Sequence, residues 1–164
     1  MRYRRHYQAG GLYFFTLVTE RRQAILTHPE IRLALRQAIQ TVRQKYPFEI
    51  IAWTLLPDHL HTIWQLPEND ANYSERWRQI KRFTQYHCRH QFPNLWQKRF
   101  WEHTIRDEMD FAHHLDYVHF NPVKHGYVDQ AVNWNYSSFH RYVRSGFYST
   151  DWGGGSAFTI EYDE

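Results

Sequence analysis

Residues 12–19 run Leu-Tyr-Phe-Phe-Thr-Leu-Val-Thr, aromatic and β-branched without a break, which predicts a buried strand after a Gly10-Gly11 turn. The period then lengthens. Pro29 opens a helix in which Ile31, Leu35, Ala38, Ile39 and Val42 recur at helical spacing, and Tyr46-Pro47 closes it. Residues 48–56 predict a second strand, Pro57-Asp58 a turn and residues 59–66 a third strand, so the last two form a hairpin. Residues 73–91 read as a basic amphipathic helix with Trp77, Ile80, Phe83 and Thr84 on one side. Residues 95–105 alternate irregularly and are a candidate fourth strand. Asp107 or Glu108 starts another helix, with Phe111, Leu115 and Val118 as its apolar positions. That helix should end near Asn121-Pro122, because a residue before proline disfavours the α region. A turn through Gly126 leads to a short helix over residues 137–144. The order β-α-β-β-α-β-α predicts an α+β fold: a ferredoxin-like antiparallel sheet with helices packed on one face.

A chain of 164 residues suffices for one domain with its own core. We expect that domain to span residues 1–148, followed by a flexible acidic tail, residues 149–164, that carries Gly153-Gly154-Gly155-Ser156. Aromatic residues make up 18% of the chain, more than a core of this size needs, which puts some rings at a surface where they could stack on bases. The net charge is only +3, but its distribution is uneven. Residues 71–106 hold eight Arg and Lys against two acids, while residues 150–164 hold four acids and no base. The middle attracts phosphate and the end repels it. A single cysteine, Cys88, excludes an internal disulfide or a cysteine-rich zinc site. The opening Met-Arg-Tyr-Arg-Arg-His-Tyr has no apolar segment of the secretory kind, and cytoplasm is the expectation.

The chemistry concentrates in two places. His59 and His61 stand two apart on the third predicted strand, and side chains at i and i+2 leave the same face, so both imidazoles can converge on one metal ion. Leu60 between them would face the core, which leaves both imidazoles on the open face of the sheet. Alone, such a pair is more often structural than metal-binding, and two ligands need a third. The second place is the helix near residue 117. Tyr117 is either one more packing aromatic or, if its hydroxyl lies near the ion, a nucleophile that attacks a phosphodiester and leaves a 5′-phosphotyrosine with a free 3′-hydroxyl. Asn121, four residues on, is a third metal ligand or an N-cap ahead of Pro122. His114 and His119 are further candidates for the metal shell or for proton transfer. Candidate DNA contacts are Arg4, Arg5, Arg78, Lys81, Arg82, Arg89, Lys98, Arg99 and Arg106, with Trp77, Phe83, Tyr86, Phe92, Trp96, Phe100 and Trp101 interleaved.

Three segments together, L-L-P-D-H-L-H-T-I-W-Q-L-P, W-Q-K-R-F-W-E-H-T-I-R-D-E-M-D-F and H-L-D-Y-V-H-F-N-P-V-K-H-G-Y-V, resemble the REP-associated tyrosine transposases. These are relatives of the small insertion-sequence transposases within the HUH single-strand nuclease superfamily. The resemblance implies a ferredoxin-like nuclease fold, His59 and His61 as the pair that binds Mg²⁺ or Mn²⁺, and Tyr117 as nucleophile. It implies a substrate of single-stranded DNA beside a short REP-type palindromic hairpin, and a monomer. Insertion-sequence relatives place glutamine four residues after the tyrosine as a ligand; here Asn121 is shorter by one methylene. Paired imidazoles suit Mn²⁺ at least as well as Mg²⁺. Two rival readings accompany this one: a hairpin-binding protein of the same fold without catalysis, and a zinc hydrolase that uses a metal-bound water.

Overall fold

The computed structural model describes residues 8–154. Four strands, β1 (Leu12–Val18), β2 (Glu49–Leu55), β3 (His59–Gln65) and β4 (Trp101–Thr104), form one sheet in the order β2-β3-β1-β4. Every neighbouring pair is antiparallel. Helices α1 (Pro29–Lys45) and α2 (Tyr73–Cys88) supply the two crossovers, and α3 (Glu108–Lys124) and α4 (Phe139–Arg144) follow β4. This is the expected α+β arrangement, and α1 and α2 share one face of the sheet, but α3 packs on the other, so the helices do not all lie on one face as expected.

Local chemistry accounts for the helix boundaries. Pro29 occupies the first turn of α1, where its missing N–H costs nothing, and Arg43 and Lys45 sit in the last turn beside the unpaired carbonyls. Asn72 caps α2 by accepting from Glu75 N at 3.1 Å, and Asp107 caps α3 by accepting from Asp110 N at 2.7 Å. The second helix stops at Cys88 rather than residue 91, and the fourth strand keeps only four residues of the expected eleven-residue window. Neither difference alters the topology.

Alternation along the strands divides the sheet into two faces. Tyr13, Phe15 and Leu17 of β1 and Leu60 and Trp64 of β3 pack against Ile31, Leu35, Val42, Trp77 and Ile80 of α1 and α2. Phe14 and Ile63 face the other way, against Leu115 and Val118 of α3. Leu60 thus points into the core as its place between two histidines requires, but the face carrying those histidines is not open: α3 covers it.

That third helix also runs further than its sequence suggests. Pro122 lies inside it, and the helix continues to Lys124 before closing with a Gly126 N–H to Val123 O bond of 3.0 Å and a Tyr127 N–H to Pro122 O bond of 3.0 Å. These two bonds, with Gly126 at φ +76°, form a Schellman ending. The burial of Phe120, Asn121 and Pro122 outweighs the local cost of proline, which is one missing backbone bond plus crowding. Asn121 is therefore a mid-helix residue and not the N-cap of a new turn.

Beyond α4, the ring of Trp152 stacks 4.4 Å from Tyr148 and 5.8 Å from Phe139, and Gly153 is buried against Ala131 and Phe120. Residues 152–154 of the expected tail are thereby packed on the body, residues 149–151 are exposed, and the rest of that tail lies outside the described residues. Among the described residues no helix is long and apolar enough to cross a membrane.

Candidate active site

Strand pairing places Thr54, His61 and Thr16 in one row across β2, β3 and β1, on the face that α3 covers. His59 and His61 are only 5% and 3% exposed, and their rings meet edge-on at 4.9 Å. Each imidazole is held by one nitrogen. His59 Nδ1 donates to Asp58 Oδ1 at 2.6 Å, and His61 Nδ1 pairs with Thr16 Oγ1 at 2.7 Å. Asp58 is itself fixed, since Thr19 N–H donates to its carbonyl at 2.9 Å and Arg22 Nη1 to its carboxylate at 3.3 Å. Burial works against ionisation of Asp58, but the hydrogen bonds from His59 and then Arg22 prevail and hold its carboxyl below the usual aspartate value.

Both Nε2 atoms remain for other work. With Nδ1–H committed to Asp58, His59 Nε2 faces the side-chain amide of Asn121, 3.1 Å from its Oδ1. His61 Nε2, Asn121 Nδ2 and Thr54 Oγ1 are buried without a hydrogen-bond partner. Burial above all, and beside it the neighbouring His59, His125 and Lys124, hold His61 well below the usual histidine range and leave it neutral. A neutral imidazole oriented through its far nitrogen is the form that ligates metals. The donor set, two imidazoles and an amide oxygen, fits a divalent ion, and His59, His61 and Asn121 are the residues that could hold it.

Tyr117 sits on α3 one turn before Asn121. Its ring lies 5.1 Å from that of His61 and 5.8 Å from Phe14. Lys124 Nζ donates to Tyr117 Oη at 3.4 Å, and the ring of His125 is 5.0 Å from His59. The structure thus brings His59, His61, Tyr117 and Asn121 to one place. Asp58, Thr16, Lys124 and His125, not singled out from sequence, belong to the same place. Asp58 had a signal, its position directly before the first histidine, whereas Thr16 becomes visible only through strand register.

His114 and His119 go elsewhere. Tyr148 Oη and Ser138 Oγ approach His119 at 3.2 and 2.8 Å, and burial pushes it down to about 3. His114 turns to Asp110 and His103, and these three bring one ligand atom each within 4.8 Å of one another.

The basic segment divides in two. Arg78, Arg82, Arg89, Lys98, Arg99 and Arg106 are exposed, while Lys81 donates to the carbonyls of Gln97 and Lys98 at 2.8 and 3.2 Å. Arg76 is interior, 1% exposed. Arg4 and Arg5 lie outside the described residues. Most of the interleaved rings are core: Trp77 stacks on Trp64 at 4.2 Å, and Phe83, Phe92, Trp96 and Phe100 pack against the same cluster. Tyr86 and Trp101 are the exposed ones, at 58% and 54%.

An antiparallel sheet that carries a buried histidine pair beneath a tyrosine-bearing helix defines the class. The IS200-like transposase family matches residues 9–119, more than half of the chain. A REP-associated tyrosine transposase of Escherichia coli K12 is 48% identical over 152 residues, which cover 93% of this chain and 90% of that protein. A relative from Haemophilus influenzae is 44% identical over 98% of both chains. A REP-associated tyrosine transposase solved bound to a REP hairpin superposes with a TM-score of 0.87 at 46% identity, covering 100% of this chain and 98% of that one. The chain belongs to the REP-associated tyrosine transposases, within the IS200-like family, and is by that membership a DNA-processing enzyme.

Proposed function

We propose that this protein cleaves and rejoins single-stranded DNA beside a REP-type hairpin, with Tyr117 as nucleophile and His59, His61 and Asn121 as the residues that hold a divalent ion, Mg²⁺ or Mn²⁺. The observation that carries the reading is the meeting of Tyr117 with His61 at 5.1 Å, beside a buried His61 Nε2 that has no hydrogen-bond partner and a His59 Nε2 that faces the Asn121 amide at 3.1 Å. The hairpin-bound relative, alike over the full chain, supports DNA as the partner.

When bound, the ion would polarise a non-bridging phosphate oxygen and offset charge that builds on the phosphoryl group. Tyr117 Oη attacks phosphorus in line, the Oη–P bond forms as the P–O3′ bond breaks, and the departing oxygen takes up a proton to give a free 3′-hydroxyl. Lys124, 3.4 Å from Tyr117 Oη, puts positive charge where the phenol sheds its proton to solvent. The covalent 5′-phosphotyrosine conserves the bond, so attack by another 3′-hydroxyl rejoins strands. Asp58 and Thr16 fix the imidazole orientations. Exposed Arg78, Arg82, Arg89, Lys98, Arg99 and Arg106 offer phosphate contacts, Lys81 borders them, and Tyr86 and Trp101 offer stacking faces. One chain supplies both the histidine pair and the tyrosine, which favours action as a monomer.

The test is a denaturing gel of purified protein with a labelled single-stranded oligonucleotide that contains a REP hairpin. Wild type with Mn²⁺ should give a slow covalent band, and Tyr117→Phe should lose it while still shifting the hairpin on a native gel. Cleavage to free fragments by Tyr117→Phe would point to a water nucleophile, and hairpin binding with no cleavage by wild type would point to a binding protein; either defeats the proposal. Cleavage with Mg²⁺ but none with Mn²⁺ would count against a site built on two histidines.

A further inference from the structure

We propose that His103, Asp110 and His114 form a second divalent-metal site, suited to a zinc-class ion, that fastens β4 to the first turns of α3. Strand register sets His103 beside Phe14 on the face that α3 covers. Asp110 and His114 stand four apart on α3, on one side of it. His103 Nε2 is 2.9 Å from Asp110 Oδ2, and His114 Nδ1 is 3.0 Å from Asp110 Oδ1 and 2.9 Å from the Asp110 backbone carbonyl, so one aspartate holds both imidazoles. The two rings stack at 4.4 Å with 15° between their planes, and one ligand atom from each of the three residues falls within a 4.8 Å sphere.

Asp110 is aimed by the backbone: Arg106 N–H donates to its Oδ2 at 2.9 Å, the kind of outer contact that orients a metal-binding carboxylate. A surface cleft of about 410 Å³, lined by His103, Arg106, Asp107, Met109, Asp110 and His113, gives an ion a path in and room for water to complete its shell. Two imidazoles and one carboxylate form the donor set of tetrahedral zinc sites with an open fourth position, and the set disfavours Mg²⁺ and Ca²⁺, which prefer oxygen. The site is separate from the histidine pair. The Phe14 ring stands between them, 5.0 Å from His114 on one side and 5.3 Å from His61 on the other. His114 lies one turn before Tyr117, so an ion here would tie the helix that carries Tyr117 to the sheet edge.

The test takes full-length protein freed of metal by a chelator and titrates it with Co²⁺, read by visible absorption, equilibrium dialysis and thermal unfolding. In a His59→Ala/His61→Ala variant, one Co²⁺ should still bind with tetrahedral-type absorption and raise the unfolding temperature. Adding His103→Gln or His114→Gln should weaken that binding at least ~10-fold and remove the thermal shift. If the double variant does not fold, the count in otherwise native protein serves: His103→Gln should lower the Co²⁺ stoichiometry by one. Unchanged stoichiometry and affinity on loss of His103 and His114 would overturn the proposal. The DNA adduct is scored separately in His103→Gln, so failure here and failure of the Tyr117 reading give different results.

Discussion

Each histidine at the candidate active site has one nitrogen engaged and one turned inward, and that division of labour depends on single neighbours. Thr16 is the neighbour of His61, at 2.7 Å, in a row set by the pairing of β1 with β3. Thr16→Val keeps the size and β-branching of the side chain but removes the hydroxyl, so His61 loses the contact that fixes its ring and tautomer. We expect Mn²⁺ affinity to fall about 10–100-fold with the fold retained, as loss of an outer partner does at metal sites. A Mn²⁺ titration of adduct formation measures it; an unchanged half-saturation point would show that Thr16 has no such role. Lys124→Met keeps an aliphatic stem over the Tyr117 ring and removes the ammonium 3.4 Å from its hydroxyl. The rate of adduct formation should drop at saturating metal and DNA while hairpin affinity changes little, and equal losses in both would make Lys124 a DNA contact instead.

At the scale of elements, α3 decides the site, because it carries Tyr117 and Asn121 over the histidine face and must be long enough to deliver both. Its ending rests on Gly126 at φ +76°, where an added Cβ would meet nothing within 4 Å. Gly126→Ala thus isolates backbone strain from steric clash, and should cost about 1 kcal/mol, visible as a lowered unfolding temperature. A loss near zero would mean that the Schellman ending does not hold the helix. The histidine pair was legible because a period of two needs only one strand, and Tyr117 with Asn121 because four residues make one turn. Pro122 misled, since the rule against residues before proline is local and the burial of Asn121 beside His59 is not. Nor could periodicity say which face α3 covers: its apolar stripe would suit either side of the sheet. The cluster of His103, Asp110 and His114 was hidden for a related reason, as it exists only through the pairing of β4 with β1. The aromatic count predicted some rings at a surface, and Tyr86 and Trp101 are exposed, but composition could not say which: Trp77, one of the interleaved rings, stacks on Trp64 in the core.

Across the whole molecule, the α1–α2 layer that backs the sheet is pinned by a buried cation. Arg76, 1% exposed, donates to both carboxylate oxygens of Asp70 at 3.0 and 2.9 Å and to the carbonyls of Tyr46, Pro47 and Asn72 at 3.2, 2.9 and 3.0 Å. It therefore joins the end of α1, the start of β2 and the start of α2 at one point, with all five N–H donors of the guanidinium satisfied. The hydrogen bond from Arg76 lowers the Asp70 carboxyl below its usual value of 3.8, against a smaller opposing effect of burial. A folded-state value below the unfolded one means that the unfolded chain binds the proton more readily. Stability from this pair is therefore full above about pH 3.8 and is lost as pH falls from there through the lower folded value. Asp70→Asn should flatten that part of the acid-denaturation curve. At neutral pH it should also cost about 1–3 kcal/mol, less than a fully buried pair because Asp70 is 32% exposed. Urea unfolding of both proteins from pH 7 to pH 2.5 reads the two effects together. Parallel curves for wild type and Asp70→Asn would show that the acid sensitivity of this fold lies in other carboxylates and that Arg76 is held by its three carbonyls alone.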